Sequence, residues 1–123
     1  MAGPPPEGER APRDGALPAA ALESVASQPL SIYLHVPYCA TRCGYCDFNT
    51  YTAVELGDSV SRSTWADSAI AELELAQRVL GDRTPAVQTV FVGGGTPTLL
   101  PAADLGRVLR RIHEMFGIAD DAE

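Results

Sequence analysis

Leu30 to Val36 (LSIYLHV) alternates: Leu30, Ile32, Leu34 and Val36 fall on one side of an extended chain, Tyr33 and His35 on the other. Successive side chains of a strand point to opposite faces, so this is the period of a strand with one face buried. Pro37, which brings no ladder donor, ends it. From Ser63 or Thr64 the period changes. Ala66, Ile70, Leu73, Ala76 and Leu80 recur at spacings of three and four, the apolar stripe of a helix that should close by Gly81. Thr64 and Asp67 stand as a weak capping-box pair at its start. Residues 87–92 (VQTVFV) form a β-branched and aromatic run stopped by Gly93, Gly94 and Gly95, which predicts a second, largely buried strand. Beyond Pro101, the residues Leu105, Val108, Leu109, Ile112 and Phe116 draw another helical face, closed by Gly117. Gly106 within it costs about 1 kcal/mol relative to Ala, which predicts close packing against a neighbour.

The order is strand, long loop, helix, strand, short Gly-rich loop, helix. Such alternation predicts an α/β fold with parallel strands joined by helical crossovers. Two units of this kind cannot close a barrel, and they leave a sheet edge with unpaired backbone groups. Residues 30–123 therefore read as the N-terminal portion of a larger barrel domain, in which the acidic residues 118–123 would lead into a third strand. Residues 1–29 have a different character: six of the ten prolines, many Ala, Gly and charged residues, no aromatic side chain and no sustained period. They read as a disordered leader.

Charge narrows the function classes. A formal net charge of -7 over 123 residues, with a sequence pI near 4.7, argues against general nucleic-acid binding, which needs clustered Lys and Arg to displace counterions. No apolar run approaches the roughly 20 residues of a membrane-spanning helix. The N-terminus also lacks the basic segment and apolar core of a secretory signal. The three cysteines all fall between positions 39 and 46. That is no even-numbered disulfide framework, and it predicts a reducing cytoplasm and metal ligation.

Those cysteines carry the strongest chemical signal. Cys39-Ala-Thr-Arg-Cys43-Gly-Tyr-Cys46 is a Cx3Cx2C run directly after a strand. Thiolates are soft ligands suited to iron-sulfur clusters, and these spacings let a short loop wrap three corners of one cube. Three protein ligands on a four-iron cluster leave one iron open to a small chelating molecule. Gly44 suits a tight turn within the loop. Zinc is the rival, with His35 or His113 as fourth ligand, although structural zinc sites usually pair Cx2C or Cys and His elements, and no second knuckle is present. Three inert buried cysteines are the bland alternative.

With these residues in view the sequence resembles a known family. Tyr33-Leu-His-Val-Pro-Tyr-Cys39, then Cys43, then Cys46-Asp-Phe-Asn-Thr50, then Phe91-Val-Gly-Gly-Gly-Thr-Pro-Thr98 is similar to the radical S-adenosylmethionine (SAM) group that contains oxygen-independent coproporphyrinogen III oxidase and the heme chaperone HemW. The resemblance covers about residues 30 to 117. It implies a partial (β/α) TIM-like radical SAM barrel with Cys39, Cys43 and Cys46 as ligands of a 4Fe-4S cluster. Tyr33, Tyr45, Gly94, Gly95 and Thr96 occupy positions where the family contacts SAM. The bland reading of the glycines is a tight strand-to-helix turn. The Cys-Asp-Phe-Asn ending looks more like HemW: in the oxidase another cysteine follows two residues after the last ligand, whereas here position 48 is Phe. A HemW-like role implies heme as cargo, heme-recipient proteins as partners and an electron donor for the cluster. The radical-enzyme alternative is a coproporphyrinogen oxidase type that forms a 5'-deoxyadenosyl radical. A zinc-binding structural module is the alternative from another class.

Other residues read as structural. A lone strand histidine such as His35 is more often hydrogen-bonded than a ligand. Trp65 at a helix start reads as packing. Arg107, Arg110 and Arg111 read as a solvated face, and His113 near a helix C-terminus suits the macrodipole.

Overall fold

A computed structural model describes residue 4, residues 6–52 and residues 62–123. Residues 1–3 and 5 of the leader, and residues 53–61 of the long loop, lie outside the described residues. Strand β1 (Leu30–Val36) and strand β2 (Val87–Gly94) pair in parallel, with Tyr33 opposite Phe91, Leu34 opposite Val92 and Val36 opposite Gly94. A register shift falls between Leu30 and Ser31. Helix α2 (Trp65–Leu80) makes the crossover, preceded by a 3-10 turn over Arg62–Thr64, and helix α3 (Ala102–Phe116) follows β2. The expected α/β order of two strand-helix units is the observed one.

One layer of core lies between the sheet and these helices. Leu34 and Val36 of β1 and Val87 of β2 are buried there with Trp65, Ala66 and Leu73 of α2 and Val108 and Ile112 of α3. The alternation of β1 does what its period predicts: its even-numbered residues join the core, and Tyr33 stands 53% exposed on the opposite face. Beyond α3 the chain returns to the outer edge of β2. Val87 N–H donates to the Gly117 carbonyl at 3.0 Å, Ala119 N–H to the Val87 carbonyl at 3.0 Å, and Val90 N–H to the Glu123 carbonyl at 2.8 Å. Residues 118–123 thus take up backbone groups that β2 would otherwise leave open.

Several local expectations change in three dimensions. β2 does not stop before the glycines, because Gly93 and Gly94 stay in the ladder opposite His35 and Val36. Nor is it buried on both faces, since Phe91 is 64% exposed beside Tyr33. Thr64 makes no side-chain cap hydrogen bond. Its backbone is already helical (φ -101°, ψ -4°), which withdraws the hydroxyl from capping geometry, and the Asp67 carboxylate instead pairs with Arg107. On α3, Leu109 faces outward while Met115 packs against the core. The arginines of α3 are partly engaged: Arg107 to Asp67 and Arg111 to Glu74 (3.2 Å) tie α3 to α2. As exposed pairs they are worth about 0–1 kcal/mol each.

The leader also gains an element. Helix α1 (Ala19–Val25) follows Pro18, whose φ of -57° already suits a helix start. It buries none of its residues. Alanine's helix propensity favours it, and Leu22 lines a shallow groove with Leu75 and Val79 of α2.

Gly106 does not have the close neighbour its sequence position predicts. A Cβ built there meets only the Nη1 end of Arg110, at 3.4 Å. Gly106→Ala should therefore raise the free energy of unfolding by about 1 kcal/mol, the ordinary helix-interior difference. Urea unfolding followed by circular dichroism checks this, and a lower midpoint would mean that a contact had been overfilled.

Candidate functional site

The cysteine loop leaves β1 at its C-terminal end, and backbone hydrogen bonds hold its two feet together. Cys39 N–H donates to the Tyr51 carbonyl at 3.0 Å, and Tyr51 N–H donates to the Pro37 carbonyl at 2.7 Å. Tyr38 and Tyr51 form an isolated parallel bridge. Between these feet Cys46 N–H closes a turn on the Cys43 carbonyl at 3.1 Å. All three cysteines are free thiols: Cys43 is exposed, and Cys39 and Cys46 are partly buried. Among the described residues no three His, Cys, Asp or Glu side chains converge as a ready metal cage. The loop fits an iron-sulfur cluster by its donor chemistry, with three unpaired soft ligands within eight residues and no disulfide to break.

The glycine turn after β2 docks directly on this loop. Gly95 N–H donates to the Val36 carbonyl at 2.8 Å, and Thr96 N–H donates to the Tyr38 carbonyl at 2.7 Å. A Cβ at Gly95 would fall 2.5 Å from the Tyr38 carbonyl oxygen and 2.6 Å from Cys39 Sγ. At Gly94, whose φ of +114° already favours glycine, it would fall 2.5 Å from the Val36 carbonyl oxygen. The glycines are therefore more than a tight turn: they let one strand end close against the loop that carries the first cysteine. Gly44 has no such role, since its φ is not positive and a Cβ there meets nothing within 4 Å.

Of the residues that the resemblance marks, Gly94, Gly95 and Thr96 thus come together with Cys39. Tyr33 lies on the open face of the sheet, stacked on Phe91 with ring centroids 6.0 Å apart. Tyr45 projects from the loop and is 91% exposed, so the structure does not bring it against the others. Burial pushes the phenol of Tyr38 above its ordinary value, which keeps it neutral.

His35 is committed at both ring nitrogens. A carbonyl cannot donate, so the 2.7 Å contact with the Asn49 carbonyl requires a proton on Nε2. In the neutral ring, Nδ1 then accepts from the Tyr33 hydroxyl at 2.9 Å. No nitrogen remains for zinc. His113, in the last turn of α3, is exposed. The structural reading of His35 holds, and so does that of Trp65, whose Nε1–H donates to the His35 carbonyl at 2.9 Å.

Two contributors to the site lie within the motif segments but are not marked there as ligands or contacts. Arg42 reaches across the loop to donate to the Thr50 carbonyl, and Thr50 is 1% exposed, the one buried polar residue among those described. Thr50 closes the Cys46-Asp-Phe-Asn-Thr50 segment, but nothing local predicts its burial, which depends on the loop folding back on β1. Phe91 did carry a signal: Val90 and Val92 flank it, so it must face away from them.

Comparison with known proteins agrees with this geometry. The profile of the radical SAM superfamily matches residues 33–120. The heme chaperone HemW of Mycobacterium tuberculosis is 51% identical over 102 residues, which are 83% of this chain and 25% of that protein. HemW of Escherichia coli K12 is 34% identical over 95 residues (77% and 24%), and the anaerobilin synthase of Escherichia coli O157:H7 is 39% identical over 93 residues (75% and 20%). The chain thus spans about a quarter of the length of the curated relatives it matches. Among solved structures, the coproporphyrinogen III oxidase HemN of Escherichia coli, described as a radical SAM enzyme, superposes with a TM-score of 0.68 and 28% identity over 89% of this chain and 25% of that one. A profile that runs from Tyr33 in β1 to a point beyond α3 takes in both strand-helix units and the loop between them, and the chain belongs to the radical SAM superfamily.

Proposed function

We propose that residues 30–123 are the cluster-binding portion of a HemW-like heme chaperone, with residues 1–29 as its leader. Cys39, Cys43 and Cys46 would hold a 4Fe-4S cluster, and SAM would occupy its open iron. When bound, such a cluster supplies one-electron reduction of the sulfonium of SAM. This chain's residues do the positioning. Gly95 and Thr96 fasten the turn after β2 to Tyr38 and leave room for the Cys39 sulfur. Gly94 brings backbone close to the end of β1, where it would meet the methionine end of SAM with Gly95 and Thr96. Tyr33 and Tyr45 would contact SAM from the sheet face and from the loop. Heme, heme-recipient proteins and an electron donor are the expected cargo and partners, in the cytoplasm; among the described residues no helix is long and apolar enough to cross a membrane.

The observation that carries this reading is the contact of Gly95 with Cys39, because only a glycine accommodates that sulfur and the Tyr38 carbonyl together. The heme chaperone is favoured by 51% identity to the Mycobacterium tuberculosis protein. A radical enzyme acting on a tetrapyrrole is the second reading, favoured by the 39% identity to anaerobilin synthase; Phe48, at the position of a cysteine in the oxidase, weighs against coproporphyrinogen decarboxylation.

Anaerobic reconstitution tests the assignment. The parent protein should take up iron and sulfide in equal amounts and show the visible absorption of a cluster, and Cys43→Ala should lose both, since a cluster held by two thiolates is open to solvent and oxidation. A full cluster in Cys43→Ala would defeat the ligand set, and zinc without sulfide in the parent would select the structural module. Heme uptake without 5'-deoxyadenosine formation supports the chaperone; turnover of SAM with a porphyrinogen supports the enzyme.

A further inference from the structure

We infer that Thr50 is a positioning residue for the cluster: its hydroxyl donates a hydrogen bond to the sulfur of Cys46 and thereby raises the reduction potential of what that sulfur binds. The inference rests on Cys46 being a cluster ligand, as proposed above. Thr50 Oγ1 lies 3.6 Å from Cys46 Sγ, within reach for the large sulfur atom. As free groups either could donate, but a ligating thiolate has no proton, which leaves the Thr50 O–H as the donor.

The surroundings of Thr50 make this contact a held one. The residue is 1% exposed, so its hydroxyl cannot turn to bulk water. Its carbonyl accepts from Arg42, its N–H donates to the Phe48 carbonyl at 2.8 Å, and the next residue, Tyr51, is bonded to Pro37 and Cys39 on both sides. Arg42 sits between Cys39 and Cys43 in sequence, so the backbone of Thr50 is tied to the same loop whose last sulfur its side chain meets. A buried hydroxyl needs a partner, and no buried side-chain oxygen or nitrogen among the described residues lacks one.

Hydrogen bonds to a cluster's sulfurs stabilise the more negative, reduced state, so they raise its potential. Thr50→Val removes the hydroxyl at nearly constant volume, and Thr50→Ser keeps it while deleting only a methyl group. The anaerobically reconstituted parent and both variants are compared by iron and sulfide content, circular dichroism and redox titration followed by electron paramagnetic resonance. In Thr50→Val the ratio of reduced to oxidised cluster at a fixed poise should fall about tenfold, which for one electron is about 59 mV, and Thr50→Ser should titrate with the parent. If Thr50→Val fails to fold or load, Thr50→Ser still decides: the parent's potential supports the hydroxyl's role, and a shifted one assigns the effect to packing and overturns it. Loaded Thr50→Val with the parent's potential sinks this inference alone, whereas a parent without iron and sulfide overturns the cluster reading and this inference with it.

Discussion

Gly95→Ala should lower the free energy of unfolding by about 3 to 5 kcal/mol, the sum of an overpacking cost of about 1–3 kcal/mol and two weakened hydrogen bonds of about 1 kcal/mol each. The methyl group would lie 2.5 Å from the Tyr38 carbonyl oxygen and 2.6 Å from Cys39 Sγ. Neither side yields cheaply. Gly95 N–H is bonded to Val36, and the Tyr38 carbonyl that would have to retreat is itself the acceptor for Thr96 N–H. The strand end and the cysteine loop must separate, so on the proposed reading the variant should lose cluster loading together with stability. Gly44→Ala is the control, because its methyl meets nothing within 4 Å. Equal urea midpoints for the two variants would show that the close approach contributes nothing.

Trp65→Ala is expected to cost a similar amount, about 3 to 5 kcal/mol. Trp65 is 7% exposed and fills the core between β1 and α2 from the first position of the helix. Its indole N–H also satisfies the His35 carbonyl. Carbonyls alternate in direction along a strand, and that of Val36 points toward β2, where Gly95 takes it. The His35 carbonyl therefore points to the open side of β1, where no strand among the described residues meets it. Trp65→Phe separates the two contributions: it keeps most of the buried area and loses the donor, for about 1–3 kcal/mol. Since the chain has one Trp, circular dichroism rather than fluorescence must follow unfolding. If Trp65→Phe equals the parent, the hydrogen bond carries no stability; if Trp65→Ala does, the residue is not a core member.

Local period was enough to locate β1, α2 and α3. The helices span Trp65–Leu80 and Ala102–Phe116, within a residue or two of where the stripes of three and four and the glycines at positions 81 and 117 would start and stop them. The same logic failed where one face had to be chosen without knowing the partner. Leu109 and Met115 are both apolar and neither spacing rule excludes the other, so only the position of the sheet determines which one packs. The Thr64–Asp67 pair was legible as a cap, yet the partner Asp67 takes is Arg107, on a helix 40 residues away. The cap is absent because the Thr64 backbone is already helical, which leaves the Asp67 carboxylate to the neighbouring helix.

The cysteine spacing, the strand before it and the glycines after β2 are properties of short segments, and the sequence by itself determined them: period, ligand type and the absence of a Cβ are all local. Only the tertiary structure decided what the glycines are for. Gly95 and Cys39 are 56 positions apart, and no pattern along the chain reports that one sulfur rests where the other's side chain would be. It likewise decided that Thr50 is buried against Cys46, that both nitrogens of His35 are spent on Tyr33 and Asn49, and that Phe91 joins Tyr33 on the open face. The physical reason is common to all four. Burial and hydrogen-bond satisfaction depend on which segments meet: parallel pairing of β1 with β2 brings Gly95 to Cys39 and Phe91 to Tyr33, and the return of the cysteine loop to β1 brings Asn49 to His35 and buries Thr50 beside Cys46.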